Sequence, residues 1–438
     1  MASVLLLHVV YFLGALHYGN ICNGDTFEYV YEAVNIMERS FFYSGNPALP
    51  IEAEYMTLRT PGYPLFLSMV YRFTLNNFIV LFLQNLLSVF TVFYCRNTFL
   101  LLGYNKKYDP FLVLLLVFFP SQLVYANLIA PDLLLQICAL VYFRHAILFL
   151  GNKSVRAAYR MSLALVLGLF IKPVLYPFAL IHFLMLLIYA LAVKIKWNKV
   201  GIASLLPILC IVAYSYGNQL RTGKFHFSSI QSFNAIFYYH HYFADKTSME
   251  EADAWIAEER KQIASLPHFK DRYEQANMRG ITLLKENLGS YLVYHLSKSG
   301  RFFIETGRGE MDEFTGKLTL SRLYSGTSKK FTTLVKEMSI SELIDYLKKN
   351  KSAVFALFVL GFNLLKIAGV ILFLRYAPAK PILKWFTALY ILYFALITGP
   401  ISNAHYTLPV SLIIMCAALA GYPYRNLFYR NAISKKSI

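Results

Sequence analysis

Residues 78–102 read FIVLFLQNLLSVFTVFYCRNTFLLL, an apolar run whose one charge, Arg96, lies near its end. A helix that crosses the hydrocarbon of a bilayer needs about 20 mostly apolar residues, and this stretch supplies them. The same signal recurs along the chain. Spans are expected near 3–20, 78–102, 110–128, 131–150, 161–173, 174–193, 200–217, 352–375, 385–401 and 406–424. The expected fold is an all-α polytopic membrane protein with about ten transmembrane helices and both termini inside. Composition agrees: 57% of the 438 residues are hydrophobic and 15% are charged, against about 25% charged in a soluble domain.

Between 161 and 193 the rival is one long helix. Lys172-Pro173 argues for a break, because proline disfavours helix at the residue before it. A single helix would also place the basic loop 194–199 on the outside. The net charge of +18 invites a nucleic-acid partner, but its distribution argues against one. Short loops at 103–109, 151–160, 194–199, 375–384 and 425–438 are rich in Lys and Arg and hold a single acid, Asp109. Cytoplasmic loops collect Lys and Arg, so most of the excess is a topology signal.

Two outside regions follow, 20–77 and 218–351. The chain divides into a core at 1–217 that includes the first outside loop, a mostly helical outside region at 218–351, and C-terminal helices with a cytoplasmic tail at 352–438. In the first loop, 26–39 has the period of an amphipathic helix, with Phe27, Val30, Tyr31, Val34 and Met37 on one face, and is expected on the membrane surface. Ser248-x-x-Glu251 and Ser339-x-x-Glu342 read as capping boxes that start helices, and 281–304 is helical in period. The N-terminus lacks a basic n-region and a clear cleavage site, so a retained first helix is expected.

The five cysteines lie in or beside apolar segments without CxxC spacing, which gives neither a zinc site nor a disulfide framework. Gly307-x-Gly309 lacks the third glycine and a preceding strand. HExxH and GxSxG do not occur.

A few polar residues interrupt this apolar background, each with two readings. Asp25 and Glu28 have the spacing of an N-cap and an acidic third residue. A capping carboxylate is also held in a fixed direction, as a general base must be. Asp132 follows Pro131 and suits a helix first turn, yet ionisable groups at a membrane are costly and often functional. Arg59 and Lys172 either reach for headgroups or bind a phosphate, Arg through two parallel bonds and Lys as a point charge. His405 is either an interfacial hydrogen-bonding residue or a partner for charge.

Taken together, several motifs resemble a known family. They are Gly24-Asp25 with Tyr29, then Arg59-Thr60-Pro61-Gly62-Tyr63-Pro64, Gln84, Asp132, Lys172-Pro173, Asn218-x-x-Arg221-Thr222-Gly223 and His405-Tyr406-Thr407-Leu408-Pro409. This ordered set resembles the GT-C glycosyltransferases, in particular bacterial relatives of protein O-mannosyltransferases and of the lipid A aminoarabinose transferase. The family's arginine in the last motif is replaced here by His405.

The resemblance implies an inverting transfer of a sugar from a polyprenyl-phosphate donor to a glycan, lipid or protein acceptor. It places the reaction on the outer, periplasmic face of a bacterial inner membrane, in contact with membrane lipids. Asp25 would be the base, and Asp132 would support it or orient the acceptor. Arg59 and Lys172 would hold the donor phosphate, Tyr63 would line the sugar or prenyl channel, and His405 would donate to the phosphate. A divalent cation at Asp25 is compatible with this chemistry and not required by it. A transporter or flippase for lipid-linked sugars, or a polymerase or ligase of lipid-linked glycans, is the alternative. Transporters often carry inverted repeats and broken midplane helices, and neither is evident in the sequence.

Overall fold

In the computed structural model, seven helices are long and apolar enough to cross a membrane. The structure describes residues 2–316, 340–349, 351–401 and 403–424. The first part of the chain forms α1 (Ala2–Tyr18), α2 (Thr26–Arg39), α3 (Gly62–Tyr71), α4 (Asn77–Phe99), α5 (Asp109–Val117) and α6 (Pro120–Tyr125). It continues with α7 (Asp132–Asn152), α8 (Val155–Ile171), α9 (Phe178–Ala192) and α10 (Trp197–Thr222). The 218–351 region contributes α11 (Gln231–Lys246), α12 (Met249–Ala264), α13 (Phe269–Glu286), α14 (Leu288–Ser299), α15 (Arg308–Phe314) and α16 (Ile340–Lys349). The last helices are α17 (Lys351–Tyr376), α18 (Pro381–Thr398) and α19 (Ala404–Gly421). All regular structure among the described residues is helical, and the chain is a polytopic helical membrane protein.

The seven long helices coincide with seven of the ten expected spans, and the other three form helices of fewer than 18 residues. The apolar helix α1 has 17 residues. The stretch 110–128 divides into α5 and α6, with Phe119 out of the helical region at φ −138° and ψ 72° before Pro120, in keeping with the steric pressure of proline on its predecessor. The span expected at 161–173 begins earlier, at Val155, where the Ser154 hydroxyl accepts the Ala157 N–H at 3.3 Å. That cap draws Arg156 and Arg160 onto the helix.

The break at Lys172 is present. α8 stops at Ile171, Lys172 is extended at φ −153° and ψ 128°, and Pro173 opens a 3-10 turn that leads into α9. The cap at Ser248 also forms, its hydroxyl accepting from the Glu251 N–H at 3.1 Å. Ser339 and the basic tail 425–438 lie outside the described residues.

α2 spans the residues expected of it but presents a different face. Tyr29, Glu32, Ala33 and Ile36 are buried, whereas Phe27 is 60% exposed and Val30, Tyr31, Val34 and Met37 are half-buried. Its start fixes that rotation, because the Thr26 hydroxyl donates to the Ile129 carbonyl at 2.9 Å.

The membrane core is organised around α19, 89% of which is buried by neighbouring helices. Gly369 of α17 permits a close approach: a Cβ there would meet Ala418 Cα of α19 at 2.8 Å. A polar ladder ties five helices to this centre. His8 Nε2 meets Ser88 Oγ at 2.8 Å, and Gln122 donates to the same hydroxyl at 2.9 Å. Gln122 and Gln136 bond each other, and Gln136 donates to the Leu408 carbonyl at 2.7 Å. Such groups are costly in hydrocarbon unless each finds a partner, so the ladder holds the helices to one mutual register. All five cysteines are free.

Candidate functional site

The loop after α1, the break between α8 and α9, the start of α19 and the helices of the 218–351 region meet around a cavity of about 1010 Å³. Asp25, Arg59 and Lys172, with Tyr29, Thr60 and Tyr406, form a polar part of its lining that carries charge. The 218–351 region adds Gln231, Asn234, Phe237, Tyr238, Tyr291 and His295.

Local structure explains how the charged residues converge. Gly62 packs against the end of α8 so closely that a Cβ would meet the Phe170 carbonyl oxygen at 2.6 Å. The Arg59–Pro64 motif is thereby seated beside Lys172, although more than a hundred residues separate them. Asp25 stands at the start of α2 but makes no capping bond. Asn23 and Thr26 close that turn instead, the Asn23 N–H donating to Thr26 Oγ1 at 2.9 Å and the Asp25 N–H to Asn23 Oδ1 at 3.2 Å. The N-cap role expected of Asp25 is therefore not taken, and its carboxylate is free to face Arg59 Nη2 at 2.8 Å.

Arg59 is held from three sides. It pairs with Asp25 and with Glu28, and its guanidinium lies 5.0 Å from the centre of the Tyr29 ring. The Arg59 side chain is 11% exposed, whereas that of Asp25 is 56% exposed. Both line the cavity, and the carboxylate is the more open of the two. Burial pushes the Glu28 carboxyl above the usual range, against the pull of Arg59. Thr60, next along, has a buried hydroxyl without a hydrogen-bond partner.

Lys172 donates to Asp132 Oδ1 at 2.8 Å, and its ammonium lies 5.6 Å from the centre of the Tyr406 ring. Asp132 sits in the first turn of α7, where the helix dipole favours a negative charge. It is 4% exposed and stands behind Lys172 rather than on the cavity wall. Tyr63 is also one layer back. It is fully buried, donates to Gln84 Oε1 at 2.8 Å and meets Tyr29 edge-on at 5.3 Å.

His405 does not join this group. Its backbone N–H donates to Glu310 Oε1 at 2.9 Å, and its Nδ1 lies 3.6 Å from the same oxygen. The other Glu310 oxygen accepts from Ser121 at 2.6 Å. Because Ser121 donates to the carboxylate and not to the imidazole, the trio is not a nucleophile with its base. Its neighbour Tyr406 lines the cavity instead. Successive residues on a helix differ by about 100° in direction, which separates the two.

Several residues escaped the sequence reading. Glu28 passed for a first-turn acid, and Tyr406 for a neighbour of His405. Glu32 is 2% exposed with one carboxylate oxygen unpartnered, and burial pushes it up to about 8 against the charges of Arg221 and Arg59. Its spacing of four from Glu28 was the available signal. The Asn218-x-x-Arg221 motif proves to turn the chain: Asn218 donates to the carbonyls of His226 and Phe227, both at 3.0 Å, and Arg221 donates to Asn218. Beyond it, His226 bonds Thr57 at 2.7 Å and Ser228 donates to the Leu58 carbonyl at 3.0 Å. These contacts bind the 218–351 region over the loop that carries Arg59.

Among the described residues no three or more His, Cys, Asp or Glu side chains group in a way that could hold a metal ion. Neither a family model, nor a curated protein, nor a solved structure matches the chain.

Proposed function

We propose that the protein is an integral-membrane glycosyltransferase that moves a sugar from a polyprenyl-phosphate donor to an acceptor. The observation that carries this reading is the convergence of Asp25, Arg59 and Lys172, from three distant segments, on one cavity.

The chemistry needs few groups. A lipid phosphate is already a good leaving group, so no general acid is required. Asp25 takes the proton of the acceptor hydroxyl as its oxygen attacks the anomeric carbon. The C–O bond to the phosphate breaks, the electron pair leaves with the phosphate, and the configuration inverts. Arg59 and Lys172 neutralise the charge that grows on the departing phosphate, and the free hydroxyl of Thr60 is a further donor. Asp132 positions Lys172. A glycosidase would instead need two opposed carboxyls across the bond, whereas Asp25 and Glu28 both face Arg59.

Arg59 and Lys172 are each matched by a carboxylate, so a donor phosphate must compete with Asp25 and Glu28 for Arg59. The basic loops support an outward-facing site, and the bacterial inner membrane is taken from the family resemblance.

Mass spectrometry of lipids, surface glycans and proteins from a deletion strain tests the reading. Loss of a single sugar is expected. Loss of a whole glycan would replace it with a flippase or polymerase. Sidedness is read separately with an impermeant thiol reagent, which should label Ser265→Cys and spare Asn198→Cys.

A further inference from the structure

Asn234, Phe237 and Tyr238 of α11 face the cavity together with Tyr291 and His295 of α14. This part of the lining differs in kind from the charged part. Three of its rings are fixed. Tyr238 donates to the Ile397 carbonyl at 2.8 Å, Tyr291 pairs with His295 Nδ1 at 3.0 Å, and His295 Nε2 meets the Leu396 carbonyl at 2.8 Å. Flat surfaces held in this way lose little freedom when a ligand lies against them. Asn234 is the opposite case: it is exposed to the cavity and its amide has no hydrogen-bond partner among the described residues. It offers two donors and one acceptor oxygen.

We propose that this aromatic and amide surface is the acceptor subsite and that it takes a saccharide; the proposal rests on the transferase reading. Vicinal hydroxyls match an amide that both donates and accepts, and the apolar face of a pyranose matches a fixed ring. A peptide acceptor fits less well. The surface is entirely helical, so its backbone N–H and C=O groups are already paired. An extended peptide would lose water from its own amides without replacement, at about 1–3 kcal/mol for each buried group left unpaired. Space does not limit the arrangement. At about 1010 Å³ the cavity lies at the upper end of the range for small-molecule sites, about 300–1,000 Å³, which leaves room for a donor sugar and an acceptor sugar together. Arg260 also lines the cavity and, with Glu54, an adjoining recess of about 160 Å³.

The test uses the purified full chain in lipid nanodiscs on two arrays, one of defined envelope oligosaccharides in free and lipid-linked form, the other of Ser- and Thr-containing peptides. Binding to a saccharide and to no peptide is expected, and the free and lipid-linked spots distinguish the source of the sugar. Asn234→Ala should weaken that binding about 3- to 10-fold, the worth of one or two neutral hydrogen bonds. Asn234→Gln should restore part of it, and Phe237→Ala should weaken it independently. Preference for peptide, absence of saccharide binding, or indifference to both substitutions would overturn the proposal.

Polyprenyl-phosphate binding is measured on the same preparations and should respond to Arg59→Ala but not to Asn234→Ala. If saccharide binding depends on Asn234 while Arg59→Ala leaves polyprenyl-phosphate affinity unchanged, the transferase reading falls and the saccharide subsite stands.

Discussion

Arg59 with Asp25 and Glu28, and His405 with Glu310 and Ser121, are clusters built from similar groups, yet they stand in opposite relations to solvent. In the first, the Asp25 side chain is 56% exposed and borders the cavity. In the second, Glu310 is 14% exposed and both of its oxygens are taken, one by the His405 N–H and one by Ser121. An acid with an open side can accept a proton from a ligand. An acid whose oxygens are all occupied fastens α15 to α6 and α19. The difference lies in what each carboxylate has left to offer, not in which residues are present.

The sharpest way to break this comparison is Asp25→Asn. The asparagine keeps size and polarity but cannot accept the proton, so sugar transfer should fall about 100-fold or more while the thermal midpoint changes little. An active Asp25→Asn protein would remove the distinction between the clusters.

Next come the cations. Arg59→Ala and Lys172→Ala should each raise the donor KM about 10- to 100-fold, the range for a hydrogen bond to a charged group. Arg59→Lys should recover only part of this, because a point charge replaces the planar fork.

The closed cluster should behave in reverse. Glu310→Ala leaves the His405 N–H and the Ser121 hydroxyl without their partner, which should cost about 1–3 kcal/mol of stability with the donor KM unchanged. His405→Ala should likewise act on the melting temperature and not on donor binding, measured by the same two assays. A raised donor KM in His405→Ala would return the histidine to the phosphate.

The last prediction concerns Glu32, an acid that is sealed but has one oxygen unpaired. Burial holds it near pH 8 in the fold, against an ordinary value of 4.5. The folded state therefore keeps a proton that the unfolded chain gives up, and stability should decline as pH rises from about 4.5 towards 8. Glu32→Gln should flatten this decline, giving a higher melting temperature than the parent at pH 8 and little difference at pH 4.

Much of the fold was legible because apolar length and proline act locally. The Lys172-Pro173 break follows from the same steric rule that divides α5 from α6 at Pro120, and the second division is easy to overlook inside a continuous apolar run. Rotation was not legible. Nothing local in 26–39 shows that Thr26 bonds Ile129 and turns Glu32 inward, or that Tyr406 rather than His405 faces the cavity. The site was half visible for the same reason. Asp25, Arg59 and Lys172 stand out as charges among apolar residues, whereas Asn234 and Tyr238 look ordinary until the contacts of His226 and Ser228 fold their region over the first loop.

The central position of α19 sets a schedule for biogenesis. The helix that the others surround is the last described one to leave the ribosome. Until it enters the bilayer, Gln136 lacks the Leu408 carbonyl and the cavity lacks Tyr406. The earlier spans must wait in the membrane with polar groups uncommitted, a state in which insertion chaperones or quality-control proteases can act. Closure of the cavity therefore waits for α19, however early its other lining residues are made.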